Sequence, residues 1–120
     1  MKLKNILIVV SDLEKSKKFY KSLFGLEVVV EQEGNIVLTE GLVLQNAGVW
    51  ENVIGRDISY ENCAAELYFE ERDLTSFSKK IEEYEEKIQV VTPLQEYPWG
   101  QKVIRLYDLD GHLIEVRTPM

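Results

Sequence analysis

The sequence contains one supersecondary pattern twice, at an offset of about 60 residues. A strand-like apolar run, an Asp-Leu pair and an amphipathic segment appear as NILIVVSDLEKSKKFY at residues 5–20 and as ELYFEERDLTSFSKKI at residues 66–81. The alignment places Asp12 over Asp73 and Asn5 over Glu66. Such a repeat predicts two copies of one structural unit in a single small domain. We expect the copies to face each other across a cleft that equivalent positions line.

Composition limits the class of protein. A length of 120 residues with 45% hydrophobic residues predicts a single domain, residues 1–120, with a real core. The formal net charge of −7 disfavours nucleic acid as a partner, because phosphate binding depends on Lys and Arg. The apolar run Ile6–Val10 is too short for a signal sequence or a membrane span. Cys63 is the only cysteine, which excludes an intrachain disulfide, so we expect a passive Cys63 in a cytoplasmic protein.

Periodicity predicts four strands and one main helix in each half. The strands are expected near residues 5–10, 26–32, 36–39 and 42–46, and near residues 65–70, 89–92, 101–107 and 112–117. Each half is then a βαβββ module, and the fold class is α+β. We place module one at residues 1–47, a connection at residues 48–62 and module two at residues 63–120.

Capping signals bound the two helices. Ser11, with Glu14 three residues later, predicts a capping box for the first helix, and Gly25 is expected at its C-terminus. The second helix should begin after Asp73. The predicted core-facing helix residues are Leu13, Ser16, Tyr20, Leu23 and Phe24 in the first helix and Leu74, Phe77, Ile81 and Tyr84 in the second.

Alternation along the strands indicates which side chains line the cleft. The apolar set Ile6, Ile8 and Val10 should pack under the first helix, and the opposite face of each strand should look inward. That opposite face carries one polar residue in each of four strands: Asn5, Gln45, Glu66 and Glu115. A carboxylate in an otherwise apolar strand needs a partner, and Arg105 on the neighbouring strand is available to pair with Glu115.

The motifs VSDLEKSKKFY and YDLDGHLIEV resemble the vicinal oxygen chelate superfamily, the glyoxalase, bleomycin-resistance and dioxygenase group. The resemblance implies two βαβββ modules whose mixed sheets curl into an open cup, and a homodimer. In metal-dependent members the ligands come from the first and last strands of each module. The matching positions here are Asn5, Gln45, Glu66 and Glu115, with Asn5 and Glu66 standing where histidine is usual.

Two interpretations of this polar set remain open. An all-oxygen set of two carboxylates and two amides suits Mg²⁺, Mn²⁺ or Ca²⁺ better than Zn²⁺ or Fe²⁺. The alternative is a metal-free cup in which Arg105 pairs with Glu115. His112, the only histidine, is interpreted as a turn residue.

The resemblance suggests two functions. The first is a cation-dependent lyase or isomerase acting on a small carbonyl or hemithioacetal substrate, with Glu66 or Glu115 as metal ligand or general base. The alternative is a metal-free protein of the bleomycin-resistance type that binds a small molecule, for which the acidic composition favours a cationic or amphipathic ligand. Arg105 is expected to contact that molecule. The candidate aromatic walls are Trp50, Tyr60, Tyr68, Tyr97 and Trp99. No membrane partner is expected.

Overall fold

The computed structural model describes residues 1–60 and 64–120, and Cys63 lies outside the described residues. The chain divides into two compact units, Met1–Ser59 (the first unit) and Tyr60–Met120 (the second unit). Each unit holds one four-stranded mixed sheet and at least one helix. The predicted α+β fold of two βαβββ modules is therefore confirmed. No helix among the described residues has the length and apolar character needed to cross a membrane.

In the first unit, the sheet has the strand order β1-β4-β3-β2. Strands β1 and β4 pair in parallel, and the other neighbours pair antiparallel. The elements are β1 (Ile6–Val10), α1 (Leu13–Phe24), β2 (Val28–Gln32), β3 (Asn35–Leu38), β4 (Leu42–Asn46) and α2 (Ala47–Ile54).

The second unit repeats this topology with the strand order β5-β8-β7-β6. Strands β5 and β8 are the parallel pair. The elements are β5 (Glu66–Glu70), α3 (Leu74–Glu83), β6 (Val90–Glu96), β7 (Lys102–Tyr107) and β8 (Leu113–Arg117).

The helix boundaries follow from capping chemistry, with one correction. Asp73 caps α3 by accepting a hydrogen bond from Ser76 N at 3.0 Å, and Gly25 ends α1 with φ of 69°. The predicted capping box at Ser11 is wrong, because Asp12 is the N-cap and accepts from Lys15 N at 3.0 Å. The α1 cap is thus equivalent to the α3 cap, as the repeat requires.

Helices α1 and α3 bury one face each against their own sheets. Helix α1 packs on β3 and β4, and α3 packs on β6 and β7. The buried helix residues are Ser16, Phe19, Tyr20 and Leu23 in α1 and Leu74, Phe77 and Ile81 in α3. Phe19, which the periodicity argument omitted, is fully buried, whereas Leu13, Phe24 and Tyr84 are only half-buried.

The expected burial of β1 under α1 holds only at its end. Val10 is fully buried, but Ile8 is half-buried and Ile6 is 54% exposed. Among the described residues, β1 is an edge strand that pairs with β4 alone, and α1 lies over β3 and β4 instead. In the central strand β8, by contrast, Ile114 and Val116 are both buried on the face away from Glu115.

Two elements depart from the sequence-based boundaries. Residues 47–54, read as the end of module one and the start of the connection, form α2, which is capped by Asn46 and ends at Gly55. Helix α2 has no buried residue, although its apolar residues Val49, Trp50, Val53 and Ile54 recur at helical spacing. Strand β6 continues past Thr92 to Glu96 through Pro93. A proline is tolerated there because β6 is an edge strand with register shifts around that position.

Candidate ligand-binding site on the second sheet

The register of the second sheet brings three charged side chains together on one face. Arg105 of β7 lies directly opposite Glu115 of β8. Arg117 lies two residues beyond Glu115 on the same strand, so both side chains point to the same side of the sheet. These three residues form what we call the Arg–Glu–Arg triad.

Each oxygen of the Glu115 carboxylate accepts a hydrogen bond from a different arginine. Arg105 Nε donates to Oε1 at 2.5 Å, and Arg117 Nε donates to Oε2 at 2.8 Å. Glu115 itself is only 6% exposed. The predicted pairing of Arg105 with Glu115 is confirmed, while the second partner, Arg117, was missed. The alternation that selected Glu115 contained the signal, since it places Arg117 on the same face.

The arginines keep Glu115 ionised. Burial favours the neutral acid and would by itself raise the pKa of Glu115. Hydrogen bonds from Arg105 and Arg117 oppose that effect and prevail, so the pKa of Glu115 lies below its ordinary value. A carboxylate with a lowered pKa is a weak base. Glu115 therefore lacks the raised pKa that the general-base hypothesis requires.

A hairpin loop adds two stacked aromatic rings beside the triad. The Tyr97 and Trp99 rings are parallel within 10° with centroids 4.6 Å apart. The loop is closed by hydrogen bonds from Tyr97 N to Gln101 O and from Gly100 N to Tyr97 O. Trp99 is 61% exposed, so it does not plug the core. An exposed indole that is already stacked offers a preorganised surface for a planar ligand.

Buried Gln101 connects the aromatic pair to the triad. Its Oε1 accepts from Trp99 Nε1 at 3.1 Å and from Arg117 Nη1 at 3.3 Å. Its Nε2 donates to the carbonyl oxygen of Thr118 at 2.9 Å. Gln101 therefore fixes the indole and the guanidinium relative to each other. No sequence motif marks it, because its role depends on the loop geometry.

The Tyr97 hydroxyl lies next to both arginines. A hydrogen bond from Arg105, followed by the charge of Arg117, lowers the pKa of Tyr97, and the same bond raises the pKa of Arg105. Arg117 Nη2 lies 3.5 Å from the hydroxyl, and its Cζ lies 5.0 Å from the ring centroid. Arg105 Nη1 also donates to Thr92 Oγ1 at 3.3 Å.

The first unit carries uncharged residues at the equivalent positions. Leu7 and Tyr68 are equivalent because each precedes its N-cap aspartate by the same number of residues. The β4 residue opposite Leu7 is Val43, whereas the β8 residue opposite Tyr68 is Glu115. By the same register, the equivalents of Arg105, Glu115 and Arg117 are Val37, Val43 and Gln45. Gln45 thus corresponds to Arg117 and lies one pleat beyond the Glu115 position.

Within the first unit, the structure does not bring the two predicted ligands together. Buried Gln45 lies opposite Val9 and accepts from Asn35 Nδ2 at 2.8 Å. Asn5 precedes β1 and is exposed. Four residues of strand separate Asn5 from the level of Gln45, which corresponds to about 13 Å. The Gln45 amide therefore forms a hydrogen bond between two neutral side chains and contacts no charged group through it.

The second unit holds the two predicted carboxylates on one face at different levels. Glu66 is opposite Leu113, and Glu115 is opposite Tyr68 two residues further on. Glu66 is exposed, in contrast to Glu115. Both oxygens of Glu115 already accept from cationic donors, and two guanidinium groups beside it would repel a divalent cation. This donor set does not fit a metal. Residues 1–60 and 64–120 contain no cluster of three His, Cys, Asp or Glu side chains arranged to hold one.

The other predicted aromatic positions differ in exposure. Tyr68 of β5, opposite Glu115, is 52% exposed on the same face of the sheet. Trp50 is half-buried on α2 of the first unit. Tyr60 is half-buried, and its ring meets that of His112 edge-on at 6.1 Å. His112 is a turn residue as predicted, since its backbone N–H donates to Asp108 Oδ1.

The fold defines a class of protein made of two βαβββ modules. A sequence model of the Glyoxalase-like domain family matches residues 3–120. The chain therefore belongs to the Glyoxalase-like domain family.

Several solved structures have the same fold. A protein of unknown function from Agrobacterium tumefaciens str. C58 is 27% identical with a TM-score of 0.82, covering 100% of this chain and 95% of that one. The fosfomycin resistance protein FosX from Listeria monocytogenes is 17% identical with a TM-score of 0.78, covering 100% and 94%. Lactoylglutathione lyase from Agrobacterium tumefaciens is 21% identical with a TM-score of 0.69, covering 98% and 92%. The latter two share the fold alone. No curated protein matches this chain.

Proposed function

We propose that this protein is a metal-free binding protein of the Glyoxalase-like domain family. Its ligand is a small molecule held on the second sheet between the Arg–Glu–Arg triad and the Tyr97–Trp99 pair. The observation that carries this proposal is the engagement of both Glu115 oxygens by Arg105 and Arg117.

The engaged carboxylate argues against the cation-dependent lyase or isomerase. That reaction needs Glu115 either as a metal ligand or as a base with a raised pKa. Each arginine donates to one Glu115 oxygen, and together they place two positive charges beside the carboxylate and lower its pKa, all of which disfavours a metal ion and a base at this position. Glu66, the other candidate base, is exposed and lies at a different level of the sheet.

The exposed aromatic surface supports a binding role. Trp99 is 61% exposed although it is stacked on Tyr97 and hydrogen-bonded to Gln101. A side chain that is already fixed loses little conformational entropy when a ligand binds. Tyr68 adds a second exposed ring on the same sheet. Stacking on such rings contributes about 1 kcal/mol beyond the burial of apolar area.

Calorimetric titration of tag-free protein with Mn²⁺, Ni²⁺, Zn²⁺ and Mg²⁺ tests the proposal. We expect no stoichiometric binding that depends on Glu115, and no hemithioacetal turnover with any of these metals. Matched variants are Glu115→Gln, which removes the charge, and Glu66→Gln, which leaves the triad intact. Stoichiometric binding by the wild type that is lost in Glu115→Gln would overturn the proposal, as would metal-dependent turnover that is lost in the same variant.

A further inference from the structure

The charges of the triad do not balance. Two guanidinium groups share the single carboxylate of Glu115. Their other side-chain partners, which are Thr92, Gln101 and Tyr97, are neutral groups when the Tyr97 phenol is protonated. Glu70, opposite Arg117 in the register, is exposed to solvent and forms no ion pair with Arg117, whose ion-pair partner in the described part of the chain is Glu115. One positive charge therefore stays without a close counter-ion among the described residues.

The arginines also keep donors to spare. Each guanidinium has five N–H groups. Among the described residues, Arg105 uses them toward Glu115, Thr92 and Tyr97, and Arg117 uses them toward Glu115, Gln101 and Tyr97. The side chains are 26% and 21% exposed, respectively. The remaining N–H groups must be satisfied by water or by a ligand.

From this imbalance we infer that the ligand of the second sheet is an anion, with a carboxylate or phosphate group bound by Arg105 and Arg117. Its planar part lies against Trp99. This inference rests on the proposed function and specifies its ligand class. It reverses the expectation drawn from composition, because the net charge of −7 favoured a cationic ligand. The triad itself carries a net charge of +1 even though the chain is acidic, whereas the other two carboxylates of this face, Glu66 and Glu70, are exposed to solvent.

The Tyr97 hydroxyl supplies a pH signature of this site. The charged groups facing it are Arg105 of β7 and Arg117 and Glu115 of β8, with exposed Glu70 beyond Arg117. The pKa of Tyr97 is lowered, chiefly by the hydrogen bond from Arg105. Ionised Tyr97 would supply the missing negative charge. Anion binding should therefore weaken as the pH rises through the pKa of Tyr97, and a bound anion should raise that pKa.

A charge series on one ring tests the inference. Benzoate, phenyl phosphate, benzamide and benzylammonium share the phenyl group and differ in charge. Binding is followed by NMR, through the indole N–H signals of the wild-type protein. We expect either benzoate or phenyl phosphate to bind at least about tenfold more tightly than benzamide. Whichever of the two anions binds more tightly shows whether the site prefers a carboxylate or a phosphate group. Benzylammonium should bind most weakly.

Variants separate an electrostatic role from a structural one. Arg117→Gln should weaken benzoate binding about tenfold and leave benzamide binding unchanged. Glu115→Gln should strengthen benzoate binding, because it increases the excess positive charge. The control Lys17→Gln removes the same charge from the first unit, where Lys17 pairs with Glu14 and Glu31, and should have no effect. A purely structural triad would lose binding in both Arg117→Gln and Glu115→Gln.

Three results would overturn the anion assignment. These are equal binding of benzamide and benzoate, preferred binding of benzylammonium, or no signal change with any probe. If metal titration is also negative, only the ligand class fails and the proposed function stands. Stoichiometric metal binding that depends on Glu115 would instead contradict the proposal of a metal-free binding protein.

Discussion

The two halves of the chain share a fold but differ at equivalent positions of the sheet. In the second unit, three adjacent positions hold the charged triad, whereas in the first unit they hold Val37, Val43 and Gln45. The helix caps Asp12 and Asp73, in contrast, are the same residue in the same role. The two units therefore share the residues that form the βαβββ topology, such as the helix caps, while the residues on one face of each sheet differ in charge.

The largest effect should come from breaking the triad. Glu115→Val installs the residue of the first unit and should lower the free energy of unfolding by about 3 kcal/mol, because two mostly buried arginines lose their shared counter-ion. The measurement is chemical denaturation at neutral pH.

A triple variant sharpens the same comparison. Arg105→Val, Glu115→Val and Arg117→Gln together reproduce the first unit's set, and the free energy of unfolding should return to within about 1 kcal/mol of wild type or exceed it. Ligand binding should be lost. A triple variant as unstable as Glu115→Val alone would mean that the two sheets do not tolerate equivalent residues.

Acid should destabilise the second unit through Glu115. The pKa of Glu115 is lower in the folded protein than in the unfolded chain, where it is about 4.3. Ionised Glu115 therefore stabilises the folded state above that pH, and this stabilisation is lost as the pH falls through the pKa of the folded state. Denaturation at a series of acidic pH values should therefore reveal a decrease in the wild type that is smaller in the triple variant. Equal pH dependence in the two proteins would contradict this account of Glu115.

The neutral pair of the first unit should matter less. Gln45→Val removes the acceptor of the Asn35 amide and should lower the free energy of unfolding by about 1 to 2 kcal/mol. Since neither group is charged, the effect should be independent of pH between acidic and neutral conditions. A decrease in the free energy of unfolding as large as that for Glu115→Val would contradict the expectation that the charged triad contributes more to stability than the neutral pair.

The smallest effect concerns what the halves share. Asp12→Ala removes the cap of α1 and should cost about 1 kcal/mol. Asp73→Ala should act in the same direction on α3. Ser11→Ala is the matched control, because Ser11 precedes the cap, and it should change the unfolding midpoint less than Asp12→Ala does.

The sequence allowed most of the fold to be predicted. The repeat, the strand alternation and the Gly25 cap all follow from local rules of backbone geometry. Helix α2 was missed although Asn46 and Gly55 mark its ends and its apolar residues recur at helical spacing, because a pattern of only eight residues is a weak signal. The exposure of Ile6 depends on which strands α1 covers, which is a tertiary property.

The candidate site was predictable only in part. Alternation placed Glu115 and Arg105 on one face, and the structure pairs them. The Arg117 and Gln101 contacts depend on register and on the loop that precedes β7, and neither is visible in a linear pattern. Gln45 lies two residues further along its strand than the position equivalent to Glu115. The sequence could not reveal this shift, because strand alternation fixes the face on which a residue lies but not its position along the strand.

The most direct test of the account is an NMR titration of the Glu115 side-chain carboxyl carbon, assigned by comparison with Glu115→Gln. We predict that the Glu115 carboxylate stays ionised to a pH below the ordinary glutamate range, and that neither Mg²⁺ nor Zn²⁺ shifts the signal of its carboxyl carbon. A Glu115 pKa above the ordinary range, or a stoichiometric metal-dependent shift, would contradict the claim that this carboxylate belongs to the two arginines.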